Sequence, residues 1–192
     1  SQNKDRNPSS VSSADSFSLW EKRAAFAMGE AERVCYTPPM TEPLDIKSFE
    51  PGPAGILGNF APHPFVLDNI HFACMEAFLQ SLKIKDPQQR QLVYSMNGNG
   101  AKAAGTQHRW QDEGKLYFKD QIIDRFGPDY QALLDRAYTA LAAQNQIYRE
   151  TLISTGTRPL IHTVGKDDPR ETVLTEKELC DRLMGMRAAL TR

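Results

Sequence analysis

The chain has 192 residues, with 23 lysines and arginines against 24 aspartates and glutamates, and so a formal net charge of −1. This length suits one domain of ordinary size, and the near-zero charge excludes a global basic field that would drive binding to nucleic acid or to a membrane surface. No apolar run approaches the roughly 18 residues of a membrane span, and three separated cysteines without a CxxC pair indicate neither a zinc site nor a disulfide framework. We expect an intracellular protein, cytoplasmic or nuclear.

The first residues predict a flexible tail. Residues 1–15 are rich in serine, asparagine and charge, and they have too few apolar groups to offset the entropy of ordering. One domain is therefore predicted over residues 16–192. It would begin with a helix over 16–34 that covers the domain, followed by a proline-rich segment with a short strand around 44–49.

A glycine-containing loop and a hairpin come next. Gly58 and Asn59 can adopt positive φ, which lets backbone approach a ligand closely, and Phe60 could supply a ring beside it. A plain turn with Phe60 in the core is the other interpretation. Residues 65–72 predict a hairpin with an Asp-Asn pair as its two-residue turn.

Residues 72–83 predict a short, largely buried helix with one polar stripe. Glu76, Gln80 and Lys83 have the spacing i, i+4 and i+7, which places them on one helical face. A carboxylate, an amide and an amine are costly to bury without partners, and they suit proton transfer and carbonyl or ribose chemistry. The stripe is therefore either a structural Glu–Lys pair or a catalytic face.

The downstream half is predicted to be mostly helical. Its segments are, in chain order, a helix from Asp86 that ends at 97–100, a helical turn at 101–104 stopped by Gly105, helices at 117–126 and 129–155, a strand at 159–163 and a last helix from Thr175. The fold class is therefore α+β and predominantly helical, with a small sheet made from the hairpin and the 159–163 strand.

Trp110 lies in a polar neighbourhood outside any periodic apolar run, where such a ring can cap the core or stack at the rim of a site. The chain lacks glycine-rich nucleotide loops, a His-Glu-x-x-His zinc motif and a G-x-S-x-G nucleophile motif. Its four histidines also lack metal-ligand spacing. We therefore expect neither a metal nor a cofactor.

Taken together, these residues resemble the NADAR (YbiA-like) family. The order Gly58-Asn59-Phe60, hairpin, then Glu76-x3-Gln80-x2-Lys83 is similar to that family's S-N-F, hairpin and E-H-Y-F-Q-A-x-K-F helix. The resemblance continues downstream and covers about residues 44–192. The further matches are Gly105, Arg109-Trp110, 118–122, 160–163 and 183–187. The family's serine is Gly58 here, and its D-x-x-W-G-x-G loop is replaced by 165–172, where Asp167 and Asp168 are the stand-ins for its acid.

The resemblance implies a single α+β domain that cleaves N-glycosidic bonds of ADP-ribosyl or phosphoribosyl compounds. The implied activity is metal-independent removal of ADP-ribose from guanine bases of nucleic acid, with an ADP-ribosyltransferase as the functional counterpart. Lys83 would be a nucleophile that forms a Schiff base with ribose C1, and Glu76 would move the protons. The implied substrate contacts are Gly58, Asn59, Phe60, Gln80, Trp110, Asp167 and Asp168.

Two alternatives stay open. One is a non-catalytic module that binds ADP-ribose or NAD, which the missing loop favours. The other is an N-glycosidase of a riboflavin-pathway intermediate.

Overall fold

The computed structural model describes residues 42–192, which contain seven helices and six short strands. The helices are α1 (Pro53–Ile56), α2 (Met75–Ser81), α3 (Pro87–Tyr94), α4 (Gly98–Thr106), α5 (Pro128–Gln144), α6 (Gln146–Ser154) and α7 (Glu176–Leu190). The strands are β1 (Leu44–Asp45), β2 (Phe65–Leu67), β3 (Ile70–Phe72), β4 (Lys115–Phe118), β5 (Gln121–Asp124) and β6 (Leu160–Ile161). The α+β, predominantly helical fold class is confirmed. The predicted tail at 1–15 and helix at 16–34 lie outside the described residues.

The strands form three separate pairs within the described part of the chain. β2 and β3 make the predicted antiparallel hairpin, and its turn residues Asp68 and Asn69 both have positive φ, as a tight two-residue turn requires. β6 pairs in parallel with β1, placing Leu44 beside Leu160. The prediction that the 159–163 strand joins the hairpin in one sheet was therefore wrong, because the segment around residue 44 takes its hydrogen bonds instead.

The predicted helix at 117–126 is also wrong, because this segment belongs to the antiparallel hairpin of β4 and β5. Leu116 and Phe118 are buried while Tyr117 between them is half-buried, which is the two-residue period of a strand. The turn contains Lys119 at a φ of 53°. In addition, the Tyr117 amide donates to the Leu82 carbonyl at 2.7 Å, so the hairpin is attached to the end of α2.

Helix boundaries downstream of α2 differ from the predicted ones. Asn97 does not end α3; its side chain accepts a hydrogen bond from the Gly100 amide at 2.9 Å and caps the N-terminus of α4. α4 continues through Gly105 instead of stopping there. The predicted 129–155 helix is two helices, because Asn145 has extended backbone dihedrals between α5 and α6.

The α2 helix lies at the centre of the fold, and all seven of its residues are buried. It packs against α3 and α4, while Phe72 and Phe78 join the main apolar core with Tyr130 and Tyr138. A fully buried side chain of this size contributes roughly 1.5–3 kcal/mol of stabilisation. The α7 helix begins, as predicted, with a capping box formed by Thr175 and Glu178. Within residues 42–192, no helix combines the length and apolarity that crossing a membrane requires.

Candidate active site

A cavity of about 490 Å³ lies beside α2, between the 47–50 segment, the loop at residues 59 and 60, α4, and the segment from residue 162 to 174. This volume falls within the range of about 300–1,000 Å³ that is usual for small-molecule sites. Asn59, Phe60, Glu76 and Gln80, which the sequence singled out, all line it. A larger cavity of about 780 Å³ between α5, α6 and α7 contains none of the predicted site residues.

A buried carboxylate and a buried amide form one wall of the cavity. Glu76 is 4% exposed and Gln80 is 1% exposed, and Gln80 Nε2 donates to Glu76 Oε1 at 2.7 Å. Their i, i+4 spacing on α2 brings them together, as the sequence predicted. Among the described residues, Gln80 Oε1 has no hydrogen-bond partner, and it is buried against the backbone of α4 at Gly105.

Gly105 makes room for this amide. A Cβ atom at Gly105 would lie 2.1 Å from Gln80 Oε1 and 2.8 Å from Gln80 Cβ, which is far inside van der Waals contact. The backbone of α4 therefore lies directly against the Gln80 side chain. The glycine that the sequence interpreted as a helix stop is an approach point between two helices.

The loop that contains Asn59 is fixed to the start of α2. The Asn59 carbonyl accepts a hydrogen bond from the Glu76 amide at 2.8 Å, and the buried Tyr138 hydroxyl donates to Asn59 Oδ1 at 2.8 Å. The Phe60 ring packs where a Cβ at Gly98 would be only 2.6 Å away. These contacts hold the loop in a single position beside the carboxylate.

Lys83 is placed differently from its prediction. Because α2 ends at Ser81, Lys83 lies in the turn after the helix and does not line the cavity. Burial and the positive charge of Lys102 lower the pKa of Lys83 to about 8, although Glu76 acts in the opposite direction. The amine therefore shares the electrostatic environment of the site while lying outside its wall.

Lys102 is a site residue that the sequence did not indicate. It lies on α4, lines the cavity, and brings Nζ within 3.4 Å of Glu76 Oε1, while 56% of its side chain stays exposed. The signal was present in the spacing: once 98–106 is one helix, Lys102 and Gly105 share its face at i and i+3.

Four further predicted contacts do not line the cavity. Trp110 is 4% exposed and belongs to the main core, so its ring is not at the cavity. Asp167 and Asp168 do not line the cavity either. Hydrogen bonds from the Arg170 amide and guanidinium lower the pKa of Asp168 and turn it toward its own loop. Gly58 lies behind the wall, where a Cβ would meet Ser48 at 3.3 Å.

The part of the cavity wall at residues 172 and 173 is held by a buried arginine that the sequence did not reveal. Arg125 is 1% exposed and donates to both carboxylate oxygens of Glu178, at 2.9 and 2.7 Å. Its Nε donates to the Thr172 carbonyl at 3.1 Å, and the Tyr130 hydroxyl donates to the Val173 carbonyl. Residues 172 and 173 line the cavity, so this network shapes the wall where the predicted acids are absent.

The match to a family model covers the whole α2 and α4 region. A model described as bacteriophage protein GP30.3 matches residues 52–188, which include Glu76, Gln80, Lys83 and Lys102. The chain belongs to the bacteriophage GP30.3 family. A relative from Enterobacteria phage T4, named as an uncharacterized 17.1 kDa protein in the Gp30-rIII intergenic region, is 36% identical over 152 residues. That match covers 77% of this chain and 98% of the phage protein.

This member of the GP30.3 family has a YbiA-like fold. The NMR structure of the Escherichia coli protein YbiA superposes with a TM-score of 0.56, covering 84% of this chain and 92% of YbiA. The sequence identity is 16%, so the likeness concerns the fold alone. The resemblance that the sequence motifs indicated is thus supported at the level of the fold.

Proposed function

We propose that this protein is an N-glycosidase that hydrolyses the ribose C1–N bond of ADP-ribosylated substrates, and that it removes ADP-ribose from guanine bases of nucleic acid. The observation that carries the proposal is the Glu76 carboxylate, buried in the wall of the cavity with an amide at 2.7 Å and an ammonium at 3.4 Å. Such a cluster supplies a proton-transfer group, a ribose-binding group and positive charge in one place.

Glu76 has the role of acid and base in this reaction. When the C1–N bond breaks, its carboxylic acid gives a proton to the departing guanine nitrogen, and the carboxylate later takes one from the attacking water. The Gln80 side chain, which lines the cavity and donates to the Glu76 carboxylate, would contact a ribose hydroxyl. Lys102 would hold the carboxylate in place as its ion-pair partner.

Lys83 supplies the nucleophile in the proposed mechanism. Its free amine attacks C1, the ribose ring opens to a Schiff base as the base departs, and water then restores the amine and releases ADP-ribose. A pKa of about 8 leaves roughly one amine in ten unprotonated at neutral pH. Lys102 is a second candidate for this role, because it lines the cavity and Lys83 does not.

The test is release of ADP-ribose from a guanine-ADP-ribosylated oligonucleotide by the wild-type protein and by Glu76→Gln. We expect release by the wild type and a loss of about 10²- to 10⁴-fold in the variant, which keeps the shape of the side chain but cannot donate the same proton. Binding of ADP-ribose to Glu76→Gln, measured by calorimetry, should persist and serves as the control for folding.

Other outcomes would select the alternatives. If the protein binds ADP-ribose but releases none from the modified oligonucleotide over a long incubation, the proposed activity is contradicted and a binding module is indicated. Turnover of a free phosphoribosyl-aminopyrimidine, with the modified oligonucleotide left intact, would retain the glycosidase but change its substrate to a riboflavin-pathway intermediate. In the proposed case, an ADP-ribosyltransferase is the class of enzyme that supplies the substrate.

A further inference from the structure

A largely exposed aromatic ring stands at the mouth of the cavity, and the proposed mechanism does not use it. Phe49 is 75% exposed, although its chain neighbours Ser48 and Glu50 both line the cavity. Its ring centroid lies 5.6 Å from that of Phe60, at an interplanar angle of 71°. The edge-to-face contact with a cavity residue fixes the ring at the rim while leaving most of it open to solvent.

The backbone holds this ring outward at an energetic cost. Phe49 has a φ of 71°, a left-handed conformation that is uncommon for a bulky residue and costs of the order of 1 kcal/mol or more. Gly55 in α1 and Gly58 just after that helix pack against the same segment. A Cβ at Gly55 would lie 1.9 Å from the Glu50 carbonyl oxygen, and one at Gly58 would lie 3.3 Å from the Ser48 Cα.

These contacts leave no room for the 48–50 segment to move inward. An exposed phenylalanine in a relaxed loop needs no explanation, but one that is held in a strained conformation beside a cavity does. A second exposed apolar side chain, Val164, is 65% exposed and lines the cavity. Lys47 and Lys166, whose ammonium groups can contact phosphate, line the same cavity.

We propose that Phe49 is a stacking platform for a nucleobase of the substrate. The inference rests on the proposed function in one respect, which is that the ribose to be cleaved lies beside Glu76. A base joined to that ribose, directly or through the diphosphate, would then lie at the mouth of the cavity. The ligand class is a nucleobase joined through ribose to phosphate. Its source is either the adenine of the ADP-ribose or a base of the nucleic acid, since both offer the same planar face.

The experiment compares Phe49→Ala, Phe49→Tyr and the control Phe126→Ala, which removes a phenylalanine that is 54% exposed and does not line the cavity. Calorimetry measures the affinity of each for ADP-ribose and for ribose 5-phosphate, which has no base. The modified oligonucleotide is tested in a Glu76→Gln background, so that it is not consumed. Thermal unfolding of each variant verifies the fold.

We expect Phe49→Ala to lower the affinity for a base-containing ligand by roughly 5- to 100-fold, the range for losing one base–aromatic stack. Ribose 5-phosphate should bind with unchanged affinity, and Phe49→Tyr should restore the loss. A loss with ADP-ribose assigns the platform to adenine. A loss with the oligonucleotide alone assigns it to a base of the nucleic acid.

The inference is overturned if Phe49→Ala binds both base-containing ligands as tightly as Phe126→Ala does. It is also overturned if Phe49→Ala loses as much affinity for ribose 5-phosphate as for the base-containing ligands. Failure of the proposed function gives a different result: base-dependent binding through Phe49 would persist in a protein that releases no ADP-ribose. If ADP-ribose is released and neither binding nor release depends on Phe49, the proposed glycosidase activity stands and the role of Phe49 is contradicted.

Discussion

Two lysines near one carboxylate have different environments. Lys102 is more than half exposed and pairs with Glu76 at 3.4 Å. Lys83 is partly buried, and burial together with the charge of Lys102 lowers its pKa to about 8. Desolvation beside a second cation is a known way to keep a lysine amine unprotonated and nucleophilic. The two amines therefore differ: Lys102 is an exposed charge paired with Glu76, and Lys83 is a partly buried amine with a lowered pKa.

Borohydride trapping of the Schiff base tests this division at the level of single residues. We expect a covalent adduct with the substrate that is absent in Lys83→Ala and present in the control Lys177→Ala, which removes an exposed lysine on α7. Because only the free amine attacks, the trapping rate should rise about tenfold per pH unit below the Lys83 pKa and level off above about 8.

The same experiment separates the two lysines. Lys102→Ala removes a cation that lowers the Lys83 pKa, so the midpoint of its trapping profile should move to higher pH. A midpoint that moves to lower pH would contradict this explanation. An adduct lost in Lys102→Ala and kept in Lys83→Ala would transfer the nucleophilic role to Lys102.

The sequence predicted those contacts of the site that follow from a helical period. Glu76 and Gln80 are one helical turn apart, so their contact needs only that α2 be a helix. Extending the same period to Lys83 went beyond the helix, which ends at Ser81, so that Lys83 lies in the turn that follows. Trp110 has no periodic context, so no local pattern could tell a core ring from one at a site.

At the scale of elements, the contact between α2 and α4 depends on Gly105. Gly105→Ala would place a methyl group 2.1 Å from Gln80 Oε1 and 2.8 Å from Gln80 Cβ, and the latter atom cannot rotate away. We expect a loss of about 1–3 kcal/mol in the free energy of unfolding, the usual cost of overpacking, measured by urea denaturation. The affinity for ADP-ribose should fall with it, because Gln80 is displaced.

Gly185→Ala is the matched control, since it is also a helical glycine and a Cβ there would meet nothing within 4 Å. It should stabilise the protein by about 0.5–1 kcal/mol, as alanine does over glycine in a helix interior, and leave ADP-ribose binding unchanged. If the two substitutions change the free energy of unfolding equally, α4 can move away from α2, which would contradict the tight contact at Gly105.

Elements that depend on distant partners were the ones the sequence misassigned. The segment 115–124 has adjacent isoleucines and a Lys-Asp turn that is not among the strong hairpin signals, so a helix and a strand fit it equally well. The segment forms the antiparallel β4–β5 pair, and its Tyr117 amide also bonds to the Leu82 carbonyl, a contact that no local pattern contains. The pairing of β6 with β1 joins residues more than a hundred positions apart and was missed for the same reason.

At the scale of the whole molecule, electrostatics limits how nucleic acid can be bound. The formal net charge is −1, so there is no broad attraction for a polyanion. Within the described residues, the cations that line the cavity are Lys47, Lys102 and Lys166. All three have carboxylate partners: Lys47 lies 2.8 Å from Asp45, Lys102 lies 3.4 Å from Glu76, and Lys166 lies 3.0 Å from Glu171. Any phosphate contacts should therefore be few and local.

The salt dependence of binding measures that number directly. Three lysines on a single strand give a slope of log K against log salt of at most about −2, whereas six to ten phosphate contacts would give about −4 to −7. We expect the shallow slope for a guanine-ADP-ribosylated oligonucleotide bound to Glu76→Gln, with little change when the strand is lengthened. Lys166→Gln should reduce its magnitude by about 0.7, and Lys177→Gln, outside the cavity, should not. A steep slope or an affinity that grows with strand length would reveal an extended nucleic-acid surface and contradict recognition confined to the cavity.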